Sequence, residues 1–186
     1  MKSILTLLFV SIIGFAQAQT KSIEVSSSTI GWKGSKITSA HYGNINFKSG
    51  LIIFKNNKVV GGSFEVDMTS LVCTDLEPGK GKEKLEKHLK NADFFDVEKF
   101  PTAKLVFKKI KGLDKNLYEI TADLTIKGIT QPVTFSLNVA DTKGGGQLVF
   151  DRTKFDIKYG SGSFFDNLGD KAISNDIELN VMFALK

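Results

Sequence analysis

Only one cysteine, two histidines, one tryptophan and three prolines occur in the 186 residues. Of the 25 basic residues, Arg152 alone is an arginine. Each shortage excludes something. A single cysteine rules out an intramolecular disulfide, so the fold holds by packing. Cys73 lies among Leu71, Val72 and Leu76 and reads as a buried, inert thiol. Readers of nucleic acid and phosphate rely on the guanidinium fork, which this chain has once, so that class is set aside and no nucleic-acid partner is expected. Lysines such as Lys108, Lys109 and Lys111 read as a solvated surface. His41 and His88 stand in no metal-ligand spacing of the HxxxH or CxxC kind, and no metal site is expected. A Cys73–His88 nucleophile pair has no motif to support it. Asp93 and Asp96 read as turn and capping residues. The run Gly144-Gly145-Gly146 lacks the lysine-serine and the helix of a phosphate loop and reads as a flexible turn. No catalytic residue is assigned.

What is present begins with a leader. Lys2 precedes an apolar run from Ile4 to Phe15, and Ala16-Gln17-Ala18 forms a small-x-small cleavage site. The run is shorter than the ~20 residues of a membrane-spanning helix. Residues 1–18 are therefore expected to be a signal peptide, and 19–186 a single exported domain, periplasmic or secreted. The chain carries a net charge of +5, of which Lys2 supplies one, leaving +4 for the mature part.

The clearest pattern is Tyr118–Val139. Tyr118, Ile120, Ala122, Leu124 and Ile126 alternate with polar residues, and Val133, Phe135, Leu137 and Val139 do so again. A period of two puts each apolar set on one strand face. Gly128 supplies a turn and Pro132 a strand start, giving an antiparallel hairpin with one dry face. Similar short runs recur: Ser22–Val25 with Thr29–Lys33, Ile45 and Phe47, Leu51–Phe54, then Phe64, Val66 and Met68 after Gly61-Gly62. Further on come Ala103, Leu105 and Phe107, then Leu148 and Phe150, and finally Ile177 to Phe183. Between them, Lys82–Asn91 carries Leu85 and Leu89 at helical spacing. An aromatic loop (Ala92–Pro101) and a glycine-rich loop (Tyr159–Lys171) complete the chain. Eight to ten hairpin-linked strands with one helix predict an all-β sandwich or up-and-down barrel. Whether its interior is a pocket or a solid core stays open at this level.

The runs HLKNADFFDVEKFPTAKLVF, ADLTIKGITQPVTF and FDRTKFDIKYG resemble the YceI-like family of exported lipid-binding proteins, over about Ile23 to Leu185. The resemblance implies an extended lipocalin-like antiparallel β-barrel of about eight strands around an apolar tunnel. It implies a long-chain ligand: polyisoprenoid, isoprenoid quinone or a fatty-acid-like lipid. Homodimers are common in such a family, and transient membrane contact for lipid exchange is a further expectation. Leu89, Phe94, Phe95 and Phe100 fall in its HL-x-x-x-x-FF segment and Asp123–Thr130 in its DLTIKGIT hairpin, both structural in character. The expected function is thus a non-enzymatic carrier that needs no cofactor. A filled-core structural or interaction domain is the alternative, and an uncharacterised enzyme a more distant one. Candidate wall residues are Phe47, Phe64, Val66, Leu105, Phe107, Ile120, Leu124, Phe135, Leu137, Phe150, Leu179, Val181 and Phe183.

Overall fold

In the computed structural model, which describes residues 17–186, the Tyr118–Val139 alternation is the expected hairpin. Lys127 and Gly128 both take positive φ (51° and 74°), the geometry of a two-residue turn that matches strand twist. The strands are β1 (Gln19–Lys36), β2 (Ala40–Lys55), β3 (Lys58–Cys73), β4 (Thr102–Gly112), β5 (Leu117–Ile126), β6 (Ile129–Val139), β7 (Lys143–Asp151) and β8 (Ile173–Leu185). Each pairs antiparallel with the next, and β8 returns to β1, closing the barrel in sequence order. The one α-helix among the described residues, α1 (Lys82–Lys90), lies between β3 and β4. The leader read at residues 1–18 falls almost wholly outside the described residues.

Several expectations are corrected by this arrangement. Of the two readings open for Ser22–Val25 and Thr29–Lys33, one strand or a pair, the single strand holds: β1 runs through both, with a register shift between Ser22 and Ile30. The separate runs at Ile45–Phe47 and Leu51–Phe54 are likewise one strand, because β2 runs through Ser49-Gly50 with a shift between Phe47 and Ser49. Bulges of this kind bend long strands around a small barrel without breaking the ladder. The strands are consequently eight and mostly long. Gly144, Gly145 and Gly146 form no turn; they are the first half of β7. A Cβ on Gly144 would run into the Phe183 ring, one on Gly145 would come 2.6 Å from the Val181 carbonyl, and one on Gly146 would meet the Ser136 carbonyl. The glycines are there for close approach.

The ladders are uneven. β6 pairs with β7 only from Ser136 to Val139, and no β7 residue stands opposite Pro132. Pro132 lies inside β6, contrary to its reading as a strand start, and its missing N–H faces no β7 partner. A 3-10 turn, Arg152–Phe155, packs beside this half of β6, with Gln131 Nε2 donating to the Lys154 carbonyl at 3.4 Å. Outward faces carry cross-strand pairs such as Lys48–Glu65 and Lys33–Glu178, worth at most about 1 kcal/mol each.

The barrel's two ends differ. One is closed by tight turns at Asn56-Asn57, 113–116 and 140–142. The other carries the long connections: 74–101 with α1, and 152–172. Leu85 and Leu89 of α1 turn inward, and Phe94 and Phe95 are buried, as the aromatic loop leads one to expect.

Candidate ligand cavity

Under the long connections lies a cavity of about 280 Å³. Its deeper wall is apolar: Ile30, Ile45, Val66, Ala103, Leu124 and Leu179. Its lip is polar, with Ser39, Lys36, His41, His88 and Tyr159, and the buried Arg152 also borders the space. Beyond a waist of Ile30, Val66, Ala103, Leu124 and Leu179, residues shared by both spaces, is a smaller void of about 70 Å³. Around and below that void, aromatic rings pack the barrel. Phe64 lies 5.5 Å from Phe47, 5.9 Å from Phe107 and 5.2 Å from Phe183, centroid to centroid, and Phe107 lies 6.3 Å from Phe135.

The residues named from sequence therefore divide. Val66, Leu124, Phe150 and Leu179 line the larger cavity. Phe47, Phe64, Leu105, Phe135, Leu137 and Val181 line the smaller void, together with Val66, Leu124 and Leu179. Phe107, Ile120 and Phe183 line neither; they belong to packed wall. Strand alternation found the inward face but not the depth at which that face is empty. It also missed much of the upper wall: Trp32, Met68, Leu71, Phe94, Ile173 and Ile177. Trp32 and Ile177 were legible as inward residues, and Phe94 as packed, but nothing local placed them around one space.

Arg152 is the largest fully buried side chain. Its Nε donates to the Ser174 carbonyl at 2.9 Å, and its terminal nitrogens donate to the carbonyls of Ile157 at 2.7 Å and Ile173 at 3.1 Å. The guanidinium sits 5.9 Å from the Phe94 ring centroid. Burial pushes its pKa down, opposed by Asp151, but the Asp151 carboxylate is itself turned to accept from the Thr153 N–H and hydroxyl. The one arginine is thus a brace that ties the 152–172 connection to the start of β8. At the lip, the His88 ring packs edge-on against Tyr159 at 4.5 Å and Phe94 at 5.0 Å.

A second cluster sits where β2 begins and β3 ends. His41 Nδ1 lies 2.8 Å from one Asp75 oxygen, and the Cys73 thiol donates to the other at 3.1 Å. The Tyr42 N–H also donates to Asp75 at 2.8 Å. Burial opposes ionisation of Asp75, yet these donors outweigh it and lower its pKa from 3.8 to about 2. Burial, with Asp75 beside it, pushes the Cys73 thiol up, consistent with an unreactive sulfur. The donor atoms of His41, Cys73 and Asp75 lie within 4.8 Å of one another, so these three residues are the set among the described residues that could hold a metal ion. Motif spacing missed them because strand pairing, Gly43 opposite Cys73, brings them together.

A closed antiparallel barrel of eight strands, capped by a helix at one end and hollow beneath it, is a lipocalin-like architecture. The YceI-like domain family matches residues 22–185, and the chain belongs to that family. Among solved structures, BcnA of Burkholderia cenocepacia is 20% identical, with a TM-score of 0.70 over 87% of this chain and 98% of that one. A polyisoprenoid-binding domain from Saccharophagus degradans is 12% identical, with a TM-score of 0.59 over 89% of this chain and 97% of that one. These two share the fold. A UPF0312 protein of Pseudomonas putida (strain W619) is 39% identical over 72 residues, which span 37% of this chain and 38% of that relative.

Proposed function

We propose that the protein is an exported carrier that sequesters an apolar lipid chain inside the barrel, with no catalytic residue of its own. The observation that carries this reading is the 280 Å³ cavity, apolar in depth and polar at the lip, at the only end of the barrel spanned by long connections. Its volume stands near the lower end of the ~300–1,000 Å³ usual for ligand sites. The polyisoprenoid-binding neighbour supports a long-chain ligand, and the family membership supports binding over turnover. Polyisoprenoid, isoprenoid quinone and fatty-acid-like chains are the candidate classes, and exchange through transient membrane contact fits the position of the lip.

The energetics are those of burial. Each methylene withdrawn from water contributes about 0.8 kcal/mol, so ten contribute about 8 kcal/mol. Association costs about 4–15 kcal/mol, so affinity rests on filling the cavity completely. Protein purified from its own host without detergent is expected to yield a long-chain species in near-stoichiometric amount on organic extraction and mass spectrometry. Repeated extraction of folded protein without any such species would refute the carrier reading.

A further inference from the structure

Within the apolar-ligand reading, on which this rests, we infer that the phenylalanine cluster around Phe64 is a floor that sets the ligand's tail length, and that the protein selects single chains of about a dozen carbons.

Three observations meet here. The first is position: the larger cavity ends at the Ile30, Val66, Ala103, Leu124 and Leu179 waist, and the rings of Phe47, Phe64, Phe107, Phe135 and Phe183 occupy the barrel beneath it. The second is how the rings are pinned. Three of them lie on glycines of a neighbouring strand. A Cβ on Gly50 would come 2.5 Å from the Phe64 ring, one on Gly62 would come 2.7 Å from Phe107, and one on Gly144 would strike Phe183. Glycine lets each of these three rings lie against bare backbone, where any larger residue would clash with it. Phe64 makes three of the four ring contacts in the cluster and lines the smaller void below the waist, so a tail that runs past that void has to displace it.

The third observation is depth. Lys36 at the lip and Ile30 at the waist are six residues apart on β1. At about 3.3 Å per residue and a strand tilt of about 40°, that is roughly 15 Å, the length of an extended tail of about twelve carbons. A branched polyisoprenoid of many units exceeds that length. An unbranched fatty-acid-like chain meets it, and its polar head would stand among Lys36, His41, His88 and Tyr159 at the lip.

The test is a chain-length series. Straight-chain fatty acids of about eight to about twenty carbons compete against a fluorescent fatty-acid probe on delipidated protein. Affinity is expected to rise about fourfold per methylene up to about twelve carbons and then level off or fall. Phe64→Ala is expected to move that break to longer chains by about four carbons, and Phe64→Leu by less. Ala103→Leu, which narrows the waist, is expected to move it to shorter ones. Phe64→Leu keeps the core filled and carries the result if Phe64→Ala does not fold, as judged by circular dichroism. Affinity that keeps climbing to twenty carbons in the parent, or a break that stays put in folded Phe64 variants, overturns the floor. If no chain of any length competes, the apolar-ligand reading itself falls.

Discussion

Replacing Arg152 by methionine tests whether a buried charge holds the roof of the cavity. The substitution keeps much of the aliphatic volume and removes three donors, orphaning the carbonyls of Ile157, Ile173 and Ser174. Hydrogen bonds from a charged donor are worth about 1.5–3 kcal/mol each, so the three together supply roughly 4.5–9 kcal/mol. Relief of guanidinium desolvation returns part of that, leaving an expected loss of about 3–5 kcal/mol. A domain of this size loses about 2–4 °C of midpoint per kcal/mol, so thermal unfolding followed by circular dichroism should fall by about 10 °C. The damage should begin locally, and limited proteolysis should cut first within 159–171, the connection that the arginine braces. Arg152→Lys should recover little, because one ammonium cannot reach three divergent carbonyls with a planar fork's geometry. An Arg152→Met variant within about 1 kcal/mol of the parent, and no more readily cleaved in that loop, would refute the brace.

Two further outcomes follow from packing and charge. Ala122 is fully buried on β5, opposite Phe107 and Val133, and lines neither cavity. Ala122→Trp is expected to cost more than about 3 kcal/mol, whereas Thr121→Trp on the outer face should stay within about 1 kcal/mol in chemical denaturation; a larger loss in Thr121→Trp would mean that the faces are reversed. Asp75 has its pKa lowered from 3.8 to about 2 in the folded protein, so its stabilisation is complete above about pH 5 and is lost as pH falls toward 2. With the side chain a quarter exposed, the contribution is about 1–2 kcal/mol after solvent screening. Urea midpoints of the parent and Asp75→Asn should therefore differ at about pH 6 and draw together only as pH falls through about 2; a gap independent of pH would assign the effect to shape alone.

How far the sequence could be read depended on whether the decisive contacts were local. The β5–β6 hairpin was plain because its alternation is unbroken and its turn carries Lys127-Gly128. β2 reads as two pieces, and β1 as one strand or two, because bulges shift the alternation by one residue, which on paper resembles a strand end. Gly144 to Gly146 misled for another reason: glycine signals both a turn and a close approach, and only Phe183 and the flanking carbonyls decide between them. The candidate wall was half legible. An inward face can be read from period two, but its empty depth depends on Phe64 meeting Phe47, Phe107 and Phe183 across three other strands. Arg152 was legible only as a scarcity. Its burial depends on carbonyls as many as 22 residues away, in a connection with no periodic pattern.

Closure in strict chain order places an unusual burden on the final segment. Every seam but one joins neighbours in sequence, while β1 and β8 meet through pairs such as Ile23 with Leu185. Bringing ends that far apart together costs about 2–3 kcal/mol more entropy than closing a short hairpin. The edges of β1 and β7 thus stay unpaired until the thirteen residues of β8 are in place, and an unpaired edge is a template for a second chain. Synthesis runs from β1 to β8, so the whole barrel waits on the last strand to emerge. A chain stalled or clipped before Ile173 would present two sticky edges and no cavity, and its fate would be association rather than folding.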